Sequence, residues 1–352
     1  MTANTLILQN LNYMRQLSIG LFIAASIWLV GCKNTTALKP NITGAMGEVL
    51  MVMDDKWRNG PAGDSIRAIL MQPMEGLPQV EAIFTLSISP HRAFVNNMRT
   101  FRNLVVTNIG PDVEQEGVSF RKEGTYAKDQ AMIQINAFSA ENFIKIINEN
   151  EHRIVGFILN AERKRSGKYF ERYQDGDLAN KIEANWGFKM TIPSILKPKK
   201  MEPSFSWLSH ETSTMSQGLL IYSFDYSGED VFSREYLLNK RDSILKANVP
   251  GPSSGSYMST EHQVPSSYKA FTINDHYTAE IRGLWKVVGD LMGGPFVMFA
   301  HLDIENSRVI VTDSYVYLPD EPKKRNFVWQ MESLLYSVKF SGDQKEKSEL
   351  GK

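Results

Sequence analysis

Runs of apolar residues separated by glycine, proline and aspartate dominate the first part of the chain after residue 45. Such runs are typical of buried strands, and they predict strands at 48–53, 82–88, 104–107 and 131–138. Ser139 is a suitable helix N-cap, and Phe143, Ile147 and Ile154 follow at helical spacing. We therefore expect a helix after Ser139, which Gly156 is expected to break.

The second half mixes strands and helices in the same way, without a detectable sequence repeat. A strand is predicted at 218–226, and a helix is expected to follow the N-cap Ser233. Residues 251–268 are rich in serine, proline and glycine, which favours a loop. Pro319 and Asp320 are expected to open a final helix. Between them, alternating segments predict three antiparallel strands at 277–288, 295–303 and 308–318.

These elements predict an α+β fold, or an α/β fold, made of two mixed strand-helix subdomains. We expect an N-terminal α/β subdomain over 46–185 and a C-terminal α+β subdomain over 186–340. The second is expected to contain an antiparallel meander and a closing C-terminal helix. Residues 341–352 are polar and are predicted to form a frayed tail.

The chain begins with a segment that is typical of a signal peptide. Residues 17–30 (LSIGLFIAASIWLV) carry no charge, and Arg15 precedes them. This run is shorter than the roughly 20 residues that cross a bilayer as a helix, but it suits the apolar region of a signal peptide. We therefore predict a signal peptide over 1–31. Residues 1–13 contain no basic residue, so our hypothesis is that translation starts at Met14.

The last residues of this leader, Leu29-Val30-Gly31-Cys32, resemble the lipobox of bacterial lipoproteins. The resemblance implies that Cys32, the single cysteine of the chain, receives diacylglycerol and that cleavage follows Gly31. The new amine of Cys32 would then be acylated, for example with palmitate. The alternative is a buried cysteine in an ordinary leader or membrane helix.

Residues 32–45 are expected to form a short lipidated tether. No aspartate follows Cys32 directly, and no run of acidic residues occurs in this segment. Those two features would resemble an inner-membrane retention signal and a surface-export tag, respectively. Their absence favours a location at the outer membrane, facing the periplasm.

Two further resemblances concern the folded part. From Ile192-Pro193 through 205–208, the 219–226 strand, the 233–246 helix, the later strands and the closing helix, the order of elements looks like the α/β/α sandwich of the PsbP/Mog1-like group. The whole chain resembles uncharacterised envelope lipoproteins of the Bacteroidetes type, which carry domains of unknown function. This second resemblance implies a location rather than an activity.

Composition and charge exclude several classes of protein. Hydrophobic residues make up 42% of the chain and charged residues 22%, which excludes wholesale disorder. A formal net charge of zero gives no global attraction for nucleic acid. The six histidines form no H-E-x-x-H or H-x-H pattern, so we predict no metal site and no cofactor. We interpret His301 and Asp303 as the polar outer face of a strand.

Two loops are candidates for chemistry. Asp54 and Asp55 close the first predicted strand, where carboxylates can be catalytic or bind cations in open α/β sheets. Most such pairs are turn residues. Residues 60–64 lie between a strand and a helix, as phosphate loops do, but they lack the Gly-Lys-Ser/Thr that grips phosphate.

The remaining candidates for contacts with a ligand are three basic clusters and three tryptophans. Basic runs can contact anionic lipid or glycan, although they are more often solvated helix ends and loops. The clusters are Lys197 with Lys199 and Lys200, then 163–165, and 323–325. Trp207, Trp285 and Trp329 are expected in the core because each lies in an apolar pattern.

Two functional hypotheses follow. The first is a non-catalytic lipoprotein of the cell envelope that binds a protein or glycan partner, or that supports envelope assembly. The second is a periplasmic hydrolase with dispersed acidic residues around Asp54 and Asp55, for which we expect carboxylates and a histidine to converge in a concave pocket.

Overall fold

The computed structural model describes residues 38–121 and 124–340. The described residues from Asn41 onward belong to one compact unit. The predicted signal peptide, Met14, the lipobox with Cys32 and the tail over 341–352 all lie outside the described residues. Within the described ranges, no helix is long and apolar enough to cross a membrane.

Five strands of the N-terminal half pair into one sheet. They are β1 (Glu48–Val52), β2 (Thr85–Ser89), β3 (Asn103–Ile109), β4 (Gly117–Arg121) and β5 (Ala131–Ala137). Their order is β2-β1-β3-β5-β4. All pairs are parallel except β4 with β5. The central strands β1 and β3 are nearly continuous apolar runs, because both faces of a parallel sheet are covered.

The helices of this half follow the strands and cover the sheet. They are α1 (Asp55–Arg58), α2 (Pro61–Leu70), α3 (Ala140–Glu149), α4 (Glu151–Arg172) and α5 (Gly176–Trp186). Ser139 caps α3 as predicted, since its Oγ accepts the N–H of Asn142 at 3.2 Å. The predicted break at Gly156 is wrong, because Gly156 lies inside α4. The interruption falls at Asn150, whose side chain donates to the carbonyl of Ile146 at 2.9 Å.

A second, antiparallel sheet of eight strands forms the C-terminal half. Its strands are β7 (Lys197–Glu202), β8 (Phe205–Glu211), β9 (Ser216–Asp225), β10 (Tyr257–Thr260), β11 (Ser267–Ile273), β12 (His276–Val288), β13 (Gly293–Asp303) and β14 (Arg308–Tyr317). The order is β10-β12-β13-β14-β9-β8-β7, and β11 also pairs with β12. Two short strands, β6 (Phe188–Lys189) and β15 (Lys339–Phe340), pair separately.

The three-strand meander β12–β13–β14 confirms the predicted α+β class. The predicted loop over 251–268 is partly wrong, because it contains β10 and the start of β11. The lysine- and proline-rich β7 was also missed. The segments β7, β10 and β11 lie at the edges of the sheet. Their composition does not favour strands, and they become strands because they pair with β8 or β12.

The large sheet is covered on both faces. Leu219 and Ile221 face a core shared with α7 (Arg325–Leu335) and with the N-terminal sheet. Leu220 and Tyr222 face the opposite core under α6 (Arg234–Asn248). This alternation follows from the two-residue period of a strand. Because the first core also contains residues of β1, β3 and β5, the two halves share one apolar interior.

Two of the three basic clusters are used inside this fold, so their interpretation as solvated or ligand-binding runs is wrong. Arg325 is buried, donates to the carbonyl of Ala82 at 2.7 Å and lies over the Trp329 ring. The carboxylate of Glu81 accepts the backbone N–H groups of Lys324 and Arg325 at 2.9 Å each. This carboxylate caps α7 from the other half and offsets the cluster's charge at a helix N-terminus.

The two arginines of the 163–165 cluster form ion pairs with buried carboxylates. Arg163 pairs with Glu332 at 3.0 Å, and Arg165 pairs with Glu162 at 2.9 Å. Glu162 also accepts from Arg102 at 2.6 Å. These arginines lower the pKa of Glu162 and of Glu332, although burial opposes them. Both carboxylates are therefore ionised, and they hold arginine side chains in the interior of the fold.

The interpretation of His301 and Asp303 as an exposed face is also wrong. His301 is 1% exposed and Asp303 is 4% exposed. Asp303 accepts from Arg308 at 2.7 Å, and His301 lies between two threonine hydroxyls. The ring of His301 lies 6.0 Å from that of Phe340 in β15, so this short strand covers the histidine.

Candidate functional site

An open crevice lies at the carboxyl ends of the parallel strands. The chain passes from β1 to β2 on one side, and then returns to β3 on the other side of β1. Such a reversal opens a crevice at the carboxyl edge, where α/β proteins commonly bind ligands. The cavity measures about 610 Å³. Its polar lining residues are Asp54, His91, Asn108, Asp112, Glu114, Gln115 and Asn136.

Four neighbouring strands deliver these side chains to the same edge. Asp54 follows β1 and His91 follows β2, while Asn108 and Asn136 lie near the ends of β3 and β5. Asp112 and Glu114 belong to the loop after β3. Because the strands are parallel, residues far apart in sequence converge at one edge.

Hydrogen bonds fix the side chains and the loop that line the crevice. Nε2 of His91 lies 2.7 Å from the carbonyl oxygen of Thr107, so this nitrogen carries the proton and Nδ1 is the ring's second hydrogen-bonding atom. The amide of Asn108 donates to Oδ1 of Asn136 at 2.8 Å. The indole N–H of Trp57 donates to the carbonyl of Ile109 at 3.2 Å and positions the loop that follows β3.

The charge of the crevice is negative. Asp54, Asp112 and Glu114 line it, and no lysine or arginine among the described residues does. Among the residues that the structure describes, no group of three or more histidine, aspartate or glutamate side chains is placed to hold a metal ion. The arrangement suits a ligand that presents ammonium groups or hydroxyl groups rather than an anion.

The structure separates the two predicted aspartates. Asp54 lines the crevice, whereas Asp55 pairs with Arg92 at 2.8 Å and with Arg58 at 3.5 Å. Asp55 does not line the crevice.

The glycine loop that opens α2 has a packing explanation. A Cβ at Gly63 would lie 2.2 Å from the carbonyl oxygen of Arg58, so only glycine permits this close approach. This close packing explains the glycine after the turn between α1 and α2.

Sequence reasoning missed most of this site. His91 and Asn136 lie in unremarkable local patterns, and only the parallel pairing of β2, β1, β3 and β5 brings them to Asp54. The acidic spacing of Asp112 and Glu114 after a strand was the one available signal. Sequence reasoning also missed a pair outside this crevice, Asp242 and His262, whose carboxylate oxygen and Nε2 lie 2.6 Å apart.

Two family models match the chain. Domain of unknown function DUF8532 covers residues 43–171, and domain of unknown function DUF4837 covers residues 175–337. The two matched ranges meet between α4 and α5. No curated protein matches the chain by sequence.

Solved structures provide a weak resemblance to Mog1. The Ran-binding protein Mog1p of Saccharomyces cerevisiae is 5% identical with a TM-score of 0.29, and the match covers 44% of this chain and 90% of that chain. A mutant of protein Mog1 is 7% identical, with the same TM-score of 0.29 and the same coverage, 44% and 90%.

Proposed function

We propose that this protein is a lipid-anchored, non-catalytic binding protein of the bacterial cell envelope, whose ligand is a glycan that carries amino groups. The observation that supports the ligand class is the acidic crevice at the carboxyl edge of the parallel sheet. Its three carboxylates suit ammonium groups, and its amides and imidazole suit sugar hydroxyls. The sequence pattern around Cys32 supports the anchor.

The buried carboxylates of the fold support binding over catalysis. Glu162 and Glu332 are both held ionised by arginines, so neither is a proton donor at neutral pH. Asp242 and His262 form a hydrogen-bonded pair, but no serine or threonine hydroxyl among the described residues bonds to His262. A hydrolytic triad would need that third contact.

The crevice predicts a preference for a cationic glycan. The full chain, purified in detergent, is expected to bind a glucosamine tetramer more tightly than its N-acetylated counterpart, measured by calorimetry. Asp112→Asn and Glu114→Gln are expected to weaken binding about tenfold each, because each removes a charge-assisted hydrogen bond. Glu229→Gln, on an exposed turn away from the crevice, is the matched control.

Equal affinity of the crevice variants and the native chain would contradict the ligand assignment. His91 shares the crevice with Asp54, which favours the hydrolase as the second candidate. If the chain cleaved a glycoside panel and Asp54→Asn abolished that cleavage, the protein would be a hydrolase and the non-catalytic proposal would be wrong.

Cys32→Ser is expected to remove the lipid anchor. The native chain should incorporate labelled palmitate and sediment with membranes, whereas the variant should lose the label. A chain that starts at Met14 is the matched control and should be processed normally. Labelling that persists in Cys32→Ser would refute the anchor, and failed processing of the Met14 chain would refute the proposed start.

A further inference from the structure

A second cavity, of opposite charge, lies in the C-terminal half. It measures about 650 Å³, is open to solvent and is lined by residues of β7, β8, the last turn of α6 and the start of β10. Lys199, Lys200 and Lys246 line it, with Trp207 and Tyr257. No aspartate or glutamate is among its lining residues.

Two lysines of this cavity, Lys199 and Lys200, belong to the basic cluster at 197–200, which lies at the surface. Lys199 pairs with Glu211 at 2.7 Å, and Lys200 pairs with Glu202 at 3.2 Å. All four side chains are 30–50% exposed, and such exposed pairs contribute little stability. A ligand anion can therefore replace either carboxylate at low cost.

Lys246 adds a positive charge from the opposite wall. Its ammonium group lies 5.1 Å from the centre of the Tyr257 ring, and no described carboxylate pairs with it. It lies in the last turn of α6, where the amide of Asn248 already donates to the carbonyl of Ile244 at 2.9 Å. The three lysines thus surround the cavity from two separate elements.

An aromatic side chain is fixed beside these charges. The prediction that Trp207 belongs to the core is wrong, although it is correct for Trp285 and Trp329. Trp207 is only half-buried, and its ring lines the cavity. Its indole N–H donates to the hydroxyl of the buried Tyr315 at 3.1 Å, which holds the ring in one orientation.

We propose that this cavity binds an anionic saccharide, a sugar ring that carries a phosphate or carboxylate group. The lysines would hold the anion, and the Trp207 ring would pack against the apolar face of the sugar. Asn248 lines the same cavity, and its Oδ1 accepts from Nζ of Lys200 at 2.8 Å, which fixes that ammonium group at the cavity wall. This site is separate from the acidic crevice and takes a ligand of opposite charge, so it does not rest on the proposed function.

Calorimetry with glucose 6-phosphate, glucose and inorganic phosphate tests this site. The full chain with Cys32→Ser is used, so that no lipid anchor contributes. We expect glucose 6-phosphate to bind at least tenfold more tightly than either of the other two. Lys246→Gln should weaken it about fivefold, and Trp207→Ala about tenfold. Lys240→Gln, on the same helix but outside the cavity, and Asp112→Asn, in the crevice, should leave binding unchanged.

Vesicles distinguish the two sources of such a ligand. Binding to phosphatidylcholine vesicles that contain lipid A would support a phosphorylated saccharide headgroup, and binding of glucose 6-phosphate alone would support a soluble one. Equal affinity for inorganic phosphate and glucose 6-phosphate would overturn the proposal, as would equal binding to vesicles with phosphatidylglycerol. Lys246 is exposed, so its variant keeps the test decisive even if Trp207→Ala does not fold.

Discussion

Asp313→Asn is expected to lower the free energy of unfolding by about 3–5 kcal/mol, since it leaves a buried guanidinium without its counter-charge. Asp313 and Arg241 are both completely buried, and Nε of Arg241 lies 2.7 Å from Oδ2 of Asp313. Arg241 also donates to Thr260 at 2.9 Å, and its guanidinium lies 3.8 Å from the centre of the Phe296 ring. One nitrogen of Arg241 and one oxygen of Asp313 have no hydrogen-bond partner.

The two halves of this pair should respond differently to substitution. Burial raises the pKa of Asp313, against the attraction of Arg241. When Arg241 is replaced by methionine, the carboxyl group can therefore take up a proton. Arg241 has no such escape when Asp313 is replaced, because a guanidinium stays protonated. We expect Arg241→Met to be the less destabilising change at pH 6.

Urea unfolding of each variant measures these differences. The double variant Arg241→Met with Asp313→Leu should recover most of the loss, because well-packed apolar residues can replace a buried ion pair. Asp225→Asn, at an exposed strand end, is the control for removal of an ordinary surface carboxylate. A change of less than about 1 kcal/mol for Asp313→Asn would show that the pair is dispensable.

Acidification is expected to unfold the protein partly through His301. Burial, with a smaller effect of His276, lowers the pKa of His301 from 6.5 to about 3. The folded ring is therefore neutral, and its nitrogens lie 3.1 Å from the hydroxyl of Thr278 and 3.3 Å from that of Thr312. The unfolded chain takes up a proton below about pH 6.5 that the folded chain does not bind until about pH 3.

Because the unfolded chain binds this proton more readily than the folded chain, the free energy of unfolding decreases as the pH falls. For that pKa difference the loss between pH 7 and pH 4.5 is roughly 2–3 kcal/mol. His301→Gln is less stable at pH 7, but it lacks this titration. The difference in the free energy of unfolding between the native chain and the variant should therefore decrease by about that amount between pH 7 and pH 4.5. Urea unfolding at both pH values measures it.

The carboxylates of Glu162 and Glu332 also titrate in acid, and both chains share that contribution. His210→Gln, at a half-buried position of β8, is the control for loss of a histidine elsewhere. A gap that stays constant from pH 7 to pH 4.5 would mean that His301 does not contribute to acid unfolding.

Local patterns predicted the elements whose own residues determine their structure. The meander β12–β14 alternates apolar side chains, and α6 and α3 begin at the serines that cap them. The segments β7, β10 and β11 were missed because their composition favours loops and only a neighbouring strand orders them. The same distinction applies to charge: Arg325 has the sequence context of a solvated helix end, and its burial depends on Glu81 of the other half.

By itself, the sequence determined the α+β class and the approximate positions of the central strands, because each depends on residues that are adjacent in the chain. Only the tertiary structure decided which charges form ion pairs and which remain available to ligands. The strand order brings Asp54, His91 and Asp112 to one edge, and the cavity that Trp207 lines takes its lysines from β7 and from the last turn of α6. Both sites depend on contacts between residues that lie far apart in the chain, and such contacts leave no local pattern.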